Sequence, residues 1–273
     1  MRLEISLKPL KPLDLPIHYN AHLRGFIYSY LEPTIAAELH KHGYSIRGRN
    51  YKLFTFSRIQ GKSQTYNSED KKQKRIVFKN RISIQFSSID TEDINLEHKS
   101  QKPNSDALLG FAKRLLDSRE PVIINDINCE VISVNIMRTP TIDITQPVRI
   151  HMLSPITVHS TYSFTDGKKA THFYHPFEEL WAQKLKNNLL NKAEALGWQR
   201  DKLNIEPDFI KPFNVTPNRQ TTIIDMGFTI KAWYGDYEIL LPESLFWLAY
   251  KVGLGARNSA GFGMFDVISK SIS

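Results

Sequence analysis

Apolar residues recur at every second position near the start of the chain. Leu3, Ile5 and Leu7 alternate with polar neighbours, the period of a half-buried strand. The period then lengthens: Leu23, Phe26, Ile27, Tyr30 and Leu31 fall at helical spacing, and Pro33 opens a second short helix running to about His42. Alternation returns in "KLFTFSRI" (52–59) and in "RIVFKNRISIQFSS" (75–88), where Ile76, Phe78, Ile82, Ile84 and Phe86 share one face. "SDALLGFAKRLLDS" (105–118) predicts an amphipathic helix capped by Ser105. "PVIINDINCEVISVNIM" (121–137) predicts a strand whose apolar phase slips near Val131–Ile132, the mark of a bulge. The first half therefore reads β-α-β-β-α-β.

The second half repeats that order. "PVRIHMLSPITVHS" (147–160) predicts a strand, followed by a hairpin around Asp166-Gly167. "PFEELWAQKLKNNLLNKAEALG" (176–197) predicts a long helix between Pro176 and Gly197. Residues 208–216 and 220–234 read as strands, and "PESLFWLAYKVG" (242–253) as a helix with Gly253 as its left-handed C-cap. "FGMFDVIS" (262–269) closes the set. The prediction is an α+β protein of two tandem ferredoxin-like domains, residues 1–139 and 140–273, joined through the proline-framed "RTPTIDITQP" (138–147). That fold licenses no function by itself. One of its uses is the RNA-recognition sheet, but the aromatic signature of that sheet's central strand is absent from residues 75–88.

Composition narrows the classes. At 273 residues, with 41% hydrophobic and 23% charged side chains, the chain reads as globular rather than disordered. Cys129 is its one cysteine, which excludes a disulfide framework and a thiolate metal cluster. "THFYHP" holds His172 and His175 without a third ligand, so no metal is assigned. No apolar run reaches the roughly 18 residues of a membrane span, and "MRLEISLKPL" lacks the apolar core of a secretory signal, so the expectation is a cytoplasmic protein. Thirty-six Lys and Arg against 28 Asp and Glu leave a net charge of +8, which favours a polyanionic partner. Basic clusters recur at 47–52, 71–75 and 167–169. Charge alone does not separate a nucleic-acid surface from a merely solvated one.

"GLGARNSAGFG" (253–263) concentrates four of the chain's thirteen glycines in eleven residues. It lacks the Gly-Lys-Ser/Thr of a P-loop and precedes a strand, where a dinucleotide fingerprint would precede a helix. Gly253, Gly255, Gly261 and Gly263 would let several backbone N–H groups converge on phosphate oxygens, with Arg257, Asn258 and Ser259 adding a cation and neutral donors.

This segment, followed by a strand, resembles the C-terminal glycine-rich motif of the RAMP superfamily of CRISPR-associated proteins. "LPIHYNAHLRGFIYSYL…AAELHKHG…NYKLFTFSRI" (15–59) and "MLSPITV" (152–158) are similar to its repeat-cleaving branch, the endoribonucleases that mature CRISPR guide RNA. What the resemblance implies is metal-independent and cofactor-free cleavage within CRISPR repeat RNA. The 2′-hydroxyl attacks the adjacent phosphorus and leaves a 2′,3′-cyclic phosphate and a 5′-hydroxyl. By the same resemblance Tyr28, His40 and Lys52 match the catalytic set. Histidine suits the proton transfer because its unperturbed pKa is about 6.5, and Lys52 would supply positive charge. Tyr28 also falls off the apolar stripe of its helix, between Arg24 and Glu32. Spacing does not choose between His40 and His42; the match of "LH" ahead of "KLFTFS" favours His40. Arg47 and Arg49 are candidate phosphate contacts. The alternative is a non-catalytic RAMP subunit that holds guide RNA in an effector complex, and a homodimer is a further open arrangement.

Overall fold

The computed structural model describes residues 1–69, 73–90, 93, 107–118 and 120–268. Ser105, Lys71, Lys72 and Ser269, which figure in the expectations above, lie outside these residues. The helices are α1 (Asn20–Tyr30), α2 (Pro33–Lys41), α3 (Ala107–Asp117), α4 (Glu179–Ala195) and α5 (Glu243–Val252).

Alternation at Leu3, Ile5 and Leu7 builds a central strand, Arg2–Pro9, flanked by antiparallel Ile82–Ser88 and Ile127–Ile136. Phe54–Phe56 and Val122–Ile124 complete this five-stranded sheet at its edges. α1 and α2 connect the first strand to Phe54–Phe56, and α3 follows Ile82–Ser88, which is ferredoxin-like connectivity. Ser6 faces Ser133 but Leu7 faces Val131, so Ile132 is the extra residue of the expected bulge. The second half repeats the order. Val148–Met152 lies between Asp236–Ile239 and Phe265–Val267, with Ile210–Asn214 outermost, and α4 and α5 cross over in the corresponding places. The fold is two ferredoxin-like units in tandem.

Four readings change. Residues 75–88 form two strands: Gln73–Phe78 pairs with Leu13–Pro16 and Ser63–Ser68 in a side sheet, while Ile82–Ser88 enters the main one. Phe78 and Ile82 are four residues apart, so the break preserves the alternation and leaves no trace in the pattern. Residues 220–234 fold back as a hairpin, Gln220–Asp225 against Phe228–Trp233, because Met226 and Gly227 both take positive φ. His159–Ser163 leaves the main sheet to pair with Lys169–Phe173. Gly253 ends α5 at φ 83°, ψ 157°, a conformation open to glycine but not the left-handed helical cap.

Each half has its own apolar core. That of the second half also takes in Tyr44, Leu53 and Ile89 from the first, so the two interlock. Polar contacts reinforce the seam. The buried Arg2 guanidinium lies 3.6 Å over the Tyr250 ring and donates to the carbonyls of Tyr250 (2.7 Å) and Phe265 (2.9 Å). Lys251 reaches Asp90 and Asp93, and Arg24 of α1 pairs with Asp225 of the second-half hairpin at 2.9 Å. No helix among the described residues is long and apolar enough to cross a membrane.

Candidate active site

Gly43 brings the end of α2 against the strand edge that carries Lys52. It takes φ +61°, and a Cβ there would lie 2.5 Å from the Tyr51 carbonyl oxygen. At this approach the Lys52 Nζ donates to the carbonyls of Leu39 and, at 2.8 Å, of His40, a cation set on the C-terminal turn of α2. Burial lowers the Lys52 pKa, with Glu38 opposing. The exposed His40 ring meets the Tyr28 ring edge-on at 6.3 Å between centroids. Tyr28 is half-buried rather than free: its other ring contact is Phe54, at 5.9 Å. Burial raises its pKa, against the Arg24 cation, so the phenol keeps its proton at neutral pH. The structure thus gathers Tyr28, His40 and Lys52 from α1, α2 and the following strand edge. His42 is the exposed C-cap of α2.

Lys52 also lines a groove of about 750 Å³ between the two halves. Arg49 joins it from the first half, and Arg257, Asn258 and Ser259 from the glycine-rich segment. Arg47 is exposed and ion-paired to Glu194 of α4 at 2.8 Å. Sequence reasoning passed over the far wall, formed by Ser160, Thr161 and His159 of the 159–163 strand and by Lys184, Asn187, Asn188, Asn191 and Lys192 of α4. The signal was present in "KNNLLNK": three asparagines in a helix interior go against local propensity. His159 is held down at about pKa 4 by burial and then by Arg257 and Arg49, so it is neutral at pH 7. Lys192 is fully buried, its pKa lowered by burial to about 7, and its Nζ donates to the carbonyls of Gly253 and Gly255, each at 2.8 Å.

The glycine-rich segment departs from the phosphate nest expected of it. All four glycines are buried, and a Cβ at each would strike protein. At Gly263 it would meet the Leu254 carbonyl, at Gly255 the Thr157 carbonyl, at Gly253 the Asn258 amide, and at Gly261 the Phe56 ring at 2.6 Å. The N–H groups of Gly253, Leu254, Ala256, Ala260, Gly261 and Gly263 are bonded to protein carbonyls. The Asn258 amide closes the loop on itself, donating to Leu254 and Phe262 carbonyls at 3.0 Å. The outward carbonyls of Ala260, Gly261 and Phe262 accept from Asn20 and Thr55 of the other half. The glycines serve close packing and the seam between the halves. What the segment offers a ligand in this arrangement is the half-buried side chains of Arg257 and Ser259.

The two ferredoxin-like units meet through the glycine-rich segment, and cations of both halves line the groove between them. Residues 138–267 match the family described as CRISPR associated protein Cas6, C-terminal. A CRISPR-associated endoribonuclease Cas6 of Methanocaldococcus jannaschii is 25% identical, over 97% of this chain and 91% of that protein. Two solved structures share the fold: a Cas6-related protein of Pyrococcus furiosus (TM-score 0.75, 24% identity, 99% of each chain) and a RAMP protein described as binding different RNA substrates (TM-score 0.73, 24% identity, 98% of this chain and 100% of that one). The chain is therefore similar along its length to a Cas6 endoribonuclease, and its second half matches the Cas6 C-terminal family.

Proposed function

We propose that the protein is an endoribonuclease that cleaves CRISPR precursor RNA within its repeats without a metal ion. The observation that carries this reading is the meeting of Tyr28, His40 and Lys52 beside a groove to which both halves contribute cations. In the proposed step the 2′-oxygen bonds to the adjacent phosphorus and the P–O5′ bond breaks. The 2′-OH proton is lost to a base and the departing 5′-oxygen gains one. His40 is assigned to proton transfer, Tyr28 to a hydrogen bond at the scissile nucleotide, and Lys52 to the charge of the phosphorane. Arg47, Arg49, Arg257 and Ser259 are assigned to the RNA backbone. The boundary between the domains is taken at 139/140.

Lys52 also caps α2, which is what an RNA-holding subunit without activity would retain, and this keeps that second reading in play. Incubation of the purified protein with a repeat RNA of its own genome in EDTA separates the two. A copy carrying 2′-deoxy at the nucleotide before the cut, and the His40→Ala variant, run in parallel. The expected result is cleavage of the unmodified RNA alone, slowed by about 10²–10⁴ in the variant, the range of general acid–base catalysis. Binding without cleavage selects the RNA-holding subunit. Undiminished cleavage by His40→Ala removes His40 from the mechanism and makes His42→Ala the next variant.

A further inference from the structure

Asp225 is the last residue of its strand before the Met226–Gly227 turn, and it is 5% exposed. A buried carboxylate is costly unless it is paired. One oxygen takes the Arg24 guanidinium at 2.9 Å; the other, Oδ1, has no hydrogen-bond partner among the described residues. An apolar side chain would fill such a place without that cost. The carboxylate is explained instead by what it holds.

Asn20, Arg24 and Tyr28 fall at i, i+4 and i+8, a single stripe along α1. The first two members of that stripe are bonded to the second half. The Asn20 amide donates to the Ala260 carbonyl at 2.8 Å and to the Gly261 carbonyl at 3.1 Å, and Arg24 meets Asp225. The third member, Tyr28, stands against His40. α1 has no side-chain cap and no acidic residue in its first turn, so these cross-seam bonds act where local capping does not. The Arg24 charge also acts on the phenol, opposing the rise in the Tyr28 pKa that burial causes.

We infer that Asp225 is a positioning residue for the cleavage step: by holding Arg24 it fixes, from the second half, the stripe of α1 that ends in Tyr28. This deepens the proposed function and rests on it. Tyr28 is assigned a hydrogen bond at the scissile nucleotide, and a displacement of about 1 Å at such a place can cost about 10²-fold in rate. Asn20 pins the stripe two turns away, about 12 Å along the axis, whereas Arg24 is one turn away, about 6 Å. Arg24 is therefore the nearer of the two anchors, and Asp225 is what anchors it. The residues assigned to the chemistry all come from the first half, and the second half sets the placement of one of them. Asp225 is buried away from RNA, and its effect passes through Arg24.

The test separates rate from affinity. Single-turnover cleavage of the repeat RNA at saturating protein gives the rate, and binding of the 2′-deoxy copy gives the affinity. Asp225→Leu leaves the partly exposed Arg24 free to turn to water. In that variant the rate is expected to fall about ten- to a hundred-fold while affinity stays within about three-fold of wild type. Arg24→Met combined with Asp225→Leu is expected to cleave no more slowly than Asp225→Leu alone, because Asp225 acts through Arg24. Lys251→Met breaks a different ion pair of the seam, to Asp90 and Asp93, and is expected to keep the wild-type rate. Rates are compared below the thermal unfolding transition of each variant. If Asp225→Leu does not fold, the double variant, which strands no charge, carries the same expected loss of rate. A wild-type rate, an equal loss of rate and affinity, a slower double variant, or a like fall in Lys251→Met each overturns this inference and leaves the proposed function standing. If wild type does not cleave repeat RNA, the proposed function falls and this inference with it.

Discussion

At Gly261 a hydrogen stands where any larger group would run into the Phe56 ring and the Asn20 amide of the other half. The φ of +81° adds backbone strain for an L side chain. Gly261→Ala is therefore expected to destabilise the protein by about 2–6 kcal/mol, taking about 1–3 each for strain and overpacking. Gly167→Ala is a control, also at positive φ but with open space at its Cβ, and is expected to show the strain cost alone. Denaturant unfolding of the two variants side by side checks this. His159 carries a second prediction at the same scale. Its folded pKa of about 4 lies below its ordinary 6.5, so the unfolded chain binds more protons between those values. The stability that neutral His159 permits is present above pH 6.5 and is lost as pH falls toward 4. The wild type is expected to lose stability faster than His159→Gln over that window, read as the difference in unfolding free energy at pH 7.5 and pH 4.5. Equal slopes would show that the site does not hold the imidazole neutral.

The hairpin of Gln220–Asp225 and Phe228–Trp233 is fixed to the first half through Arg24 of α1. Asp225 is 5% exposed, and its second carboxylate oxygen has no hydrogen-bond partner. Removing one member of such a pair strands the other, whereas removing both does not. Arg24→Met is expected to cost about 3 kcal/mol, and Arg24→Met with Asp225→Leu less than that single change. A double-mutant cycle in denaturant gives the coupling; additive effects would show the pair to be incidental. α4 illustrates how one element divides its duties. One face fills the core, and the polar face lines the groove. From the buried side Lys192 holds the glycine-rich segment by two carbonyls.

For the whole molecule the net charge of +8 matters only as the fold distributes it. Arg49 and Lys52 come from one half and Lys184 and Arg257 from the other, and all four line one groove. If RNA lies along that groove, log affinity is expected to fall against log salt by roughly 0.7 for each phosphate contacted. A slope of about −2 or steeper fits an extended strand, and a slope shallower than about −1 fits a pocket for a single phosphate. Binding of the 2′-deoxy repeat RNA between about 50 and 200 mM salt measures it.

The pattern of apolar positions determined the element order, because strand and helix periods depend only on which side chains must leave water. Leu3, Ile5 and Leu7 and the slip at Val131–Ile132 were legible for that reason. The break between Phe78 and Ile82 was not, because an even spacing conceals a change of sheet. The motif resemblance named Tyr28, His40 and Lys52 as a set, while spacing left His40 and His42 equivalent. The approach of Lys52 to the end of α2 that carries His40 goes with Gly43 admitting the Tyr51–Lys52 backbone, a long-range packing fact. The glycines of 253–263 announced close approach but not its object, since a missing Cβ looks the same whether backbone, a ring or a phosphate fills the space. Only the tertiary structure showed that Phe56, Thr157 and Leu254 fill it, and that the asparagines of α4 face the same groove as Arg257.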